Sequence, residues 1–397
     1  KVRYSYGNLG NQQVGYYDYL RTINIGTQSY LFGDKLPSSA SISAPVSSNL
    51  TWETVEHHNI GLDASFFNNR LTFTGEAYIR NTKDMLTAGI SLPATYGTSS
   101  PRMNSADMQT KGYELSLGWQ DMFKLAGKPF SYQVNLTFND YTSEITKFNN
   151  PEKAFAKGYY EGMRIGEIWG YHIDGLFATD EEAASYEVDQ RRVNDIINSS
   201  SGALKGLHAG DLRFADLDGD NIISTGENTV DNPGDRRIIG NSEPRYQYGA
   251  NLAFQWYGFD FSVFFQGIGR MDWYPAHEAE LFWGPFNRAY ATFLPKNFLE
   301  QCWSEENPNA YFPRPRAYVA YDNMGDQCRE LTAKNDRYLQ NIGYCRLKNL
   351  TVGYTLPKNW TRKAGIDMLR VYFSGENLAC WSGIKTDYVD PEQARRG

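Results

Sequence analysis

Several chemistries lack their raw material in this chain. Its four cysteines (Cys302, Cys328, Cys345, Cys380) include no CxxC pair and only five histidines are present, which argues against a zinc site. No apolar run approaches the 18 residues that a membrane-spanning helix needs, but that absence leaves open a barrel whose strands are apolar on one side only. Positive charge is not in excess: 39 Lys and Arg stand against 46 Asp and Glu, a formal charge of -7, and such a balance argues against a nucleic-acid partner. There is no Gly-x-Ser-x-Gly, Walker or Rossmann phrase. An initiator Met and a signal peptide are missing too: the chain opens Lys1-Val2-Arg3-Tyr4 and reads as a piece of something longer. Cys302 and Cys328 share one loop-like stretch and could pair in an oxidising compartment.

Aromatic rings are abundant. The 397 residues include 28 Tyr, 22 Phe and 9 Trp, yet the mean hydropathy of -0.57 is that of a polar protein. The rings follow a period of two. In 246–256, Tyr246, Tyr248, Ala250, Leu252, Phe254 and Trp256 alternate with Gln247, Gly249, Asn251, Ala253 and Gln255; after Tyr257-Gly258, Phe259, Phe261, Val263 and Phe265 resume the pattern. The same code recurs in Phe130–Phe138, Tyr113–Trp119, Ile60–Phe66, Leu71–Ile79, Leu350–Leu356 and Leu369–Phe373. With Lys1–Gly7 these segments predict nine strands.

The polar face of these strands carries Asn, Gln, Ser, Thr and Gly rather than the Lys and Glu of a soluble sandwich. That is the composition of a hydrated barrel lumen. The turns after Phe66, Trp119, Trp256 and Leu356 read as short, whereas the alternate connections (8–51, 86–109, 142–245 and 271–342) are long. This asymmetry belongs to outer-membrane barrels, with long loops outside the cell and short turns on the periplasmic side. Phe66, Phe67, Trp119, Phe123, Trp256, Tyr257, Tyr354 and Trp360 gather at the short-turn end, as an interfacial girdle would. The fold class is therefore all-β, an antiparallel transmembrane barrel. Nine strands with both outer edges open cannot close in lipid, so residues 1–397 read as the C-terminal part of a barrel that lacks upstream strands and at least one strand beyond Gly397.

A set of phrases resembles the SusC-like (SusC/RagA) TonB-dependent transporters of Bacteroidetes outer membranes. They are Arg3-Tyr4-Ser5-Tyr6-Gly7, Leu50-Thr51-Trp52-Glu53 with Asn59-Ile60-Gly61-Leu62-Asp63, Lys111-Gly112-Tyr113-Glu114-Leu115, Gly210-Asp211-Leu212-Arg213-Phe214-Ala215-Asp216, Arg346-Leu347-Lys348-Asn349-Leu350, Gly375-Glu376-Asn377-Leu378 and Asp390-Pro391-Glu392. Their order and spacing carry the resemblance. It implies a plug inside a barrel of about 22 strands, import of oligomeric nutrients driven through a TonB complex by the missing N-terminal part, and a SusD-like surface lipoprotein as a lid. Glycans are the expected cargo and oligopeptides the alternative within the family. Plug, TonB-interacting segment and closing strand are absent from this chain.

Two sets of residues are candidates for binding. Asp216-Leu217-Asp218-Gly219-Asp220-Asn221-Ile222-Ile223-Ser224-Thr225-Gly226-Glu227 resembles the EF-hand ligand spacing. Asp216, Asp218, Asp220, the Ile222 carbonyl and Glu227 would hold a structural Ca2+. Asn221 stands where Gly is expected, and Asn tolerates the left-handed conformation better than most residues; the alternative is a solvated acidic turn. Among the loop aromatics, Tyr159, Tyr160, Trp169, Trp273 and Trp283 could stack on sugars or grip peptide side chains, while Tyr171, Tyr274, Phe282 and Phe286 extend the same group. The competing reading is that large loops need small cores of their own.

Other constellations fail on chemistry. Glu278 with Glu280, or Asp180, Glu181 and Glu182, sit in acidic runs that read as solvated faces rather than a glycosidase pair. His57 and His58 would point to opposite sides of a strand and so cannot chelate one ion simply. An enzyme is not expected. Rival classes are a secreted carbohydrate-binding β protein or enzyme, soluble without detergent, and a passive adhesin or porin needing neither plug nor lid.

Overall fold

The computed structural model describes all residues except 12–18, 48–49, 90–92, 98–99, 195–205, 277–278, 289, 291–293, 295, 318, 321–328 and 395–397. Nine strands form one antiparallel sheet: β1 (Val2–Asn11), β2 (Glu53–Phe66), β3 (Leu71–Ala88), β4 (Arg102–Leu125), β5 (Lys128–Lys147), β6 (Arg245–Trp256), β7 (Phe259–Arg270), β8 (Tyr344–Thr355) and β9 (Arg370–Ser382). They are hydrogen-bonded in sequence order, β1 through β9. All nine expected strands are present, and most run longer at their loop ends than alternation suggested. β4 has 24 residues, so the turn expected after Trp119 falls at Ala126-Gly127 and the long connection shrinks from 86–109 to 89–101. Above Tyr113 the strand is too polar to show the alternation by which it was recognised.

The short turns have a local cause. Ala126-Gly127 (φ 49° and 75°) and Tyr257-Gly258 (49° and 88°) are two-residue turns with both φ positive, the backbone whose twist matches the flanking strands. Phe67, Asn68 and Asn69 all have positive φ before Arg70, and the fourth connection, Leu356 to Leu369, carries the short helix Lys358–Thr361.

By contacts the chain divides into two units: Lys1–Ala64 with Thr74–Glu114 and Tyr141–Ile165, and Ser65–Phe73 with Leu115–Asp140 and Gly166–Gly397. In the second unit the register sets apolar against apolar. Phe130 pairs with Trp256, Trp256 with Phe259, Phe259 with Tyr354 and Tyr354 with Val371; one rung higher the order is Tyr132, Phe254, Phe261, Val352 and Phe373. These rings pack on each other at 5.0–6.0 Å between Phe130, Phe254 and Phe261, while Phe259, Val352, Val371 and Phe373 stay exposed. Tyr246 leaves the expected row: it is unpaired in the β6–β7 register, with φ 57°, and stacks on Phe138.

The polar faces carry charge crossings over glycine. In the first unit Arg3, opposite Gly61 in the register, reaches over it to Asp63 (2.9 Å) and also bonds Glu76. In the second, Arg370 holds Asp260 through two hydrogen bonds across Gly353. A Cβ on Gly353 would stand 2.5 Å from Asp260 Oδ1 and 2.6 Å from Arg370 Nη2. A residue with one would push the ends of both side chains out of this arrangement.

Sequence alternation did not indicate the small two-stranded ladders of the connections, which are two to five residues per strand: Ile23–Thr27 with Ser38–Ile42, Glu167–Gly170 with Arg237–Asn241, Ile173–Leu176 with Leu212–Phe214, and Asp272–Trp273 with Gln340–Asn341. In the second unit the two longest connections share one apolar core. Tyr171, Ile173, Leu212, Phe214 and Ile223 from one meet Tyr274, Phe282, Trp283, Phe286, Phe298, Phe312 and Tyr338 from the other. Among the described residues the largest fully buried side chains, Trp283, Tyr338, Phe177, Phe214 and Phe286, lie in these connections and not in the sheet.

Candidate functional site

The acidic loop folds around its own amides. Asp216 accepts from Gly219 N (2.7 Å) and Asn221 N (2.9 Å), Asp218 from Asp220 N (3.3 Å) and Asp220 from Ile222 N (2.7 Å). These amides, that of Gly219 foremost, hold the Asp216 carboxyl below the usual carboxylate range. Gly219 and Asn221 adopt positive φ, 81° and 62°, so Asn221 fills the left-handed position expected of it. Ile223 is fully buried and anchors the loop through Ile223 N to Asp189 O (2.9 Å).

The carboxylates brought together are Asp216, Asp218 and Asp235, with one oxygen from each within 4.8 Å of the others. Asp220 and Glu227 are not in that group. Asp220 caps the loop from within, and the Glu227 amide bonds back to Asn232 O (3.1 Å). Sequence reasoning missed Asp235, because the twelve-residue spacing stops at Glu227 and Asp235 returns only after the Asn232-Pro233-Gly234 turn. Asp235 is buried and its two oxygens accept from Leu217 N (2.8 Å) and Ser224 N (2.7 Å), which clamps both ends of the loop. Burial, then the charge of Asp235, raises the Asp218 carboxyl. Oxygens sharing one hard cation at about 2.3–2.6 Å lie within about 5 Å of each other, and each carboxylate oxygen keeps a second lone pair for it. The donor set fits such an ion.

The loop aromatics divide by burial. Tyr160 (5% exposed) and Trp283 (1%) are core residues and offer no free face, which corrects their assignment as ligand-stacking rings. Trp283 donates Nε1 to Pro275 O and Ala276 O (3.2 Å each) and packs edge-on against Phe282 and Tyr338. Tyr171, Tyr274, Phe282 and Phe286 are buried in the same core. Trp169 and Trp273 are half-buried, and Tyr159 is 49% exposed with one edge on Phe148. Beside Tyr159 in the first unit, an open cavity of about 700 Å³ is lined by Glu144, Phe148, Asn149, Lys153 and Glu161 among others.

The rejected carboxylates are structural where described. Glu182 caps Ala178 N and pairs with Arg213, and Asp180 accepts from Ala209 N; Glu280 opens a four-residue helix, and Glu278 lies outside the described residues. His58 bonds Tyr4 Oη (2.9 Å) whereas His57 packs on Tyr78, so the two rings have separate partners. Cys302 is a buried free thiol; Cys328 lies outside the described residues. No helix among the described residues is long and apolar enough to cross a membrane.

The family described as "TonB dependent receptor-like, beta-barrel" matches residues 2–378. The chain belongs to that family. It is 28% identical over 406 residues to TonB-dependent receptor P3 of Formosa agariphila, covering 99% of this chain and 36% of that protein. To TonB-dependent receptor SusC of Bacteroides thetaiotaomicron it is 24% identical, covering 99% and 35%. Among solved structures it is similar to the RagAB peptide transporter, with a TM-score of 0.67 at 21% identity over 98% of this chain and 38% of that one. The chain thus spans about a third of the length of these relatives. Its nine-stranded sheet is part of a TonB-dependent receptor barrel of the SusC/RagA kind, an outer-membrane protein of a transport family and not of an enzyme family.

Proposed function

We propose that these residues are the C-terminal part of the barrel of a TonB-dependent importer of oligomeric nutrients, with glycans as the cargo class. The observation that carries this reading is a receptor barrel whose two longest connections are folded around one aromatic core. Exposed Tyr159 and half-buried Trp169 and Trp273 supply flat apolar surfaces for sugar rings, and a SusD-like surface lipoprotein acts over the long loops. Coupling to TonB runs through the N-terminal part. Asp216, Asp218 and Asp235 hold a structural Ca2+ that stiffens the loop between them. Oligopeptide cargo is the second reading, favoured by the likeness to the RagAB peptide transporter.

Uptake of labelled glycans and peptides by cells carrying the intact protein, with and without TonB, tests both. TonB-dependent glycan uptake supports the first reading and TonB-dependent peptide uptake the second. Uptake of neither, or uptake that persists without TonB, refutes active import. The denatured mass of the intact polypeptide tests the placement within a longer barrel: a mass well above 45.2 kDa is expected, and one near it refutes the placement.

A further inference from the structure

The two long connections of the second unit also meet at a buried cluster with unequal charge. Asp211 comes from the first, Arg316 and Glu330 from the second; both carboxylates are fully buried and Arg316 is 8% exposed. Arg316 Nη2 lies 2.7 Å from Asp211 Oδ1 and 3.2 Å from Glu330 Oε1. One guanidinium therefore serves two carboxylates whose nearest oxygens are at most about 6 Å apart, a distance at which like charges suppress each other's ionisation. The remaining partners among the described residues are neutral: Asn194 Nδ2 donates to Glu330 Oε2 (3.2 Å) and His208 N to Asp211 Oδ2 (3.0 Å).

Among the described residues, the other ionisable groups around the cluster do not balance it. Arg314 acts on Asp211 only weakly and without a hydrogen bond. The His208 ring faces Asp180 at 3.5 Å. Tyr338, next to Arg337, is kept neutral by burial, which holds its hydroxyl well above the ordinary value. A buried carboxylate without a counter-charge is unstable unless it binds a proton.

We propose that Asp211, Arg316 and Glu330 form a proton-dependent latch between the two long connections: with one proton held by the carboxylate pair the cluster is neutral and the module closed, and loss of that proton loosens it. Burial, reinforced by the charge of Glu330, pushes the Asp211 carboxyl up to about 7. A carboxyl raised from its ordinary 3.8 takes up a proton on closing. Its contribution is fully present below the ordinary value, falls as pH rises through about 7 and is gone above it. Between pH 5.5 and 8.5 the closing equilibrium should weaken roughly 30-fold.

Hydrogen exchange in the intact, detergent-solubilised protein reads this directly. The amide to follow first is that of Arg314, which bonds across the junction to Gly210 O, together with those of Phe177 and Gly210, which bond within the first connection to Asp211 O and Phe177 O, each corrected for the intrinsic effect of pH. Protection should fall by that factor in the wild type and stay level in Asp211→Asn and in Glu330→Gln, each of which leaves one carboxylate for one guanidinium. His172, held by Asp336 of the other connection, has its pKa raised by that bond and gives a trend of the same sign. All comparisons are therefore repeated with His172→Gln. Should Asp211→Asn fail to close at any pH, Glu330→Gln decides: a level profile supports the latch and a retained fall overturns it. Level wild-type protection from pH 5.5 to 8.5 also overturns it.

Discussion

Trp283 separates a ring that builds the loop from a ring that binds cargo. Replacing it with Ala removes a side chain 1% exposed that contacts Tyr274, Phe282 and Tyr338. Truncations of this kind in a packed core cost about 3–5 kcal/mol. Loss of the Nε1 donor, which two carbonyls share, adds about 1 kcal/mol. The module should therefore lose roughly a thousandfold or more in its local closing equilibrium, since about 1.4 kcal/mol is a factor of ten. The sheet, whose β6–β9 registers do not involve this residue, should keep its protection. Hydrogen exchange resolved by peptide checks both halves at once, with Trp283→Phe as a milder variant that keeps most of the ring. A Trp283→Ala protein whose loop amides remain as protected as in the wild type, but which no longer binds cargo, would refute the core role.

Tyr159→Ala removes an exposed ring, so cargo affinity should drop by about 1 kcal/mol in an equilibrium titration while exchange in the second unit stays unchanged; loss of loop protection there would count against a contact role. Calcium at a hundred times its dissociation constant should stabilise the acidic loop by about 2.7 kcal/mol, seen as slower exchange of Ile222 and Ser224 and reversed by chelator. Asp235→Ala should abolish that response and Glu227→Ala should not; the opposite pattern would restore the twelve-residue spacing. Gly353→Ala should displace Arg370 from Asp260 and lower the denaturant midpoint modestly, the pair being partly exposed. In an Asp260→Ala background the same change should cost less, and equal costs would remove the charge crossing as the reason for the glycine. Cys302, whose thiol burial pushes up to about 12, should resist maleimide at pH 8 in a protein where the other three cysteines are serine, until the loop module is unfolded.

The nine strands were legible because a sheet wetted by apolar solvent on one side and water on the other must alternate at every residue, and Phe254, Phe261 and Val352 do so without interruption. Strand ends were not. Once β4 rises past Tyr113, Lys111, Gln109 and Asp107 occupy the face that had been apolar, and the code has nothing left to contrast. In the acidic loop, Asn221 could be placed from its own tolerance of positive φ, whereas Asp235 arrives through a fold-back that no local spacing encodes. Tyr159 and Tyr160 are adjacent and chemically identical, yet one is exposed and the other buried. Their roles depend on what lies across from them, which is a tertiary fact.

The length of β4 has a consequence for the rim of the barrel. Twenty-four residues at about 3.3 Å each, tilted by about 40°, climb roughly 60 Å, but the hydrocarbon layer around an outer-membrane barrel takes up only about 25 Å. More than half of the strand therefore belongs to a stiff parapet standing clear of the lipid. The rim of the barrel is thus carried by hydrogen-bonded wall rather than by loop alone, and it begins well beyond the hydrocarbon layer.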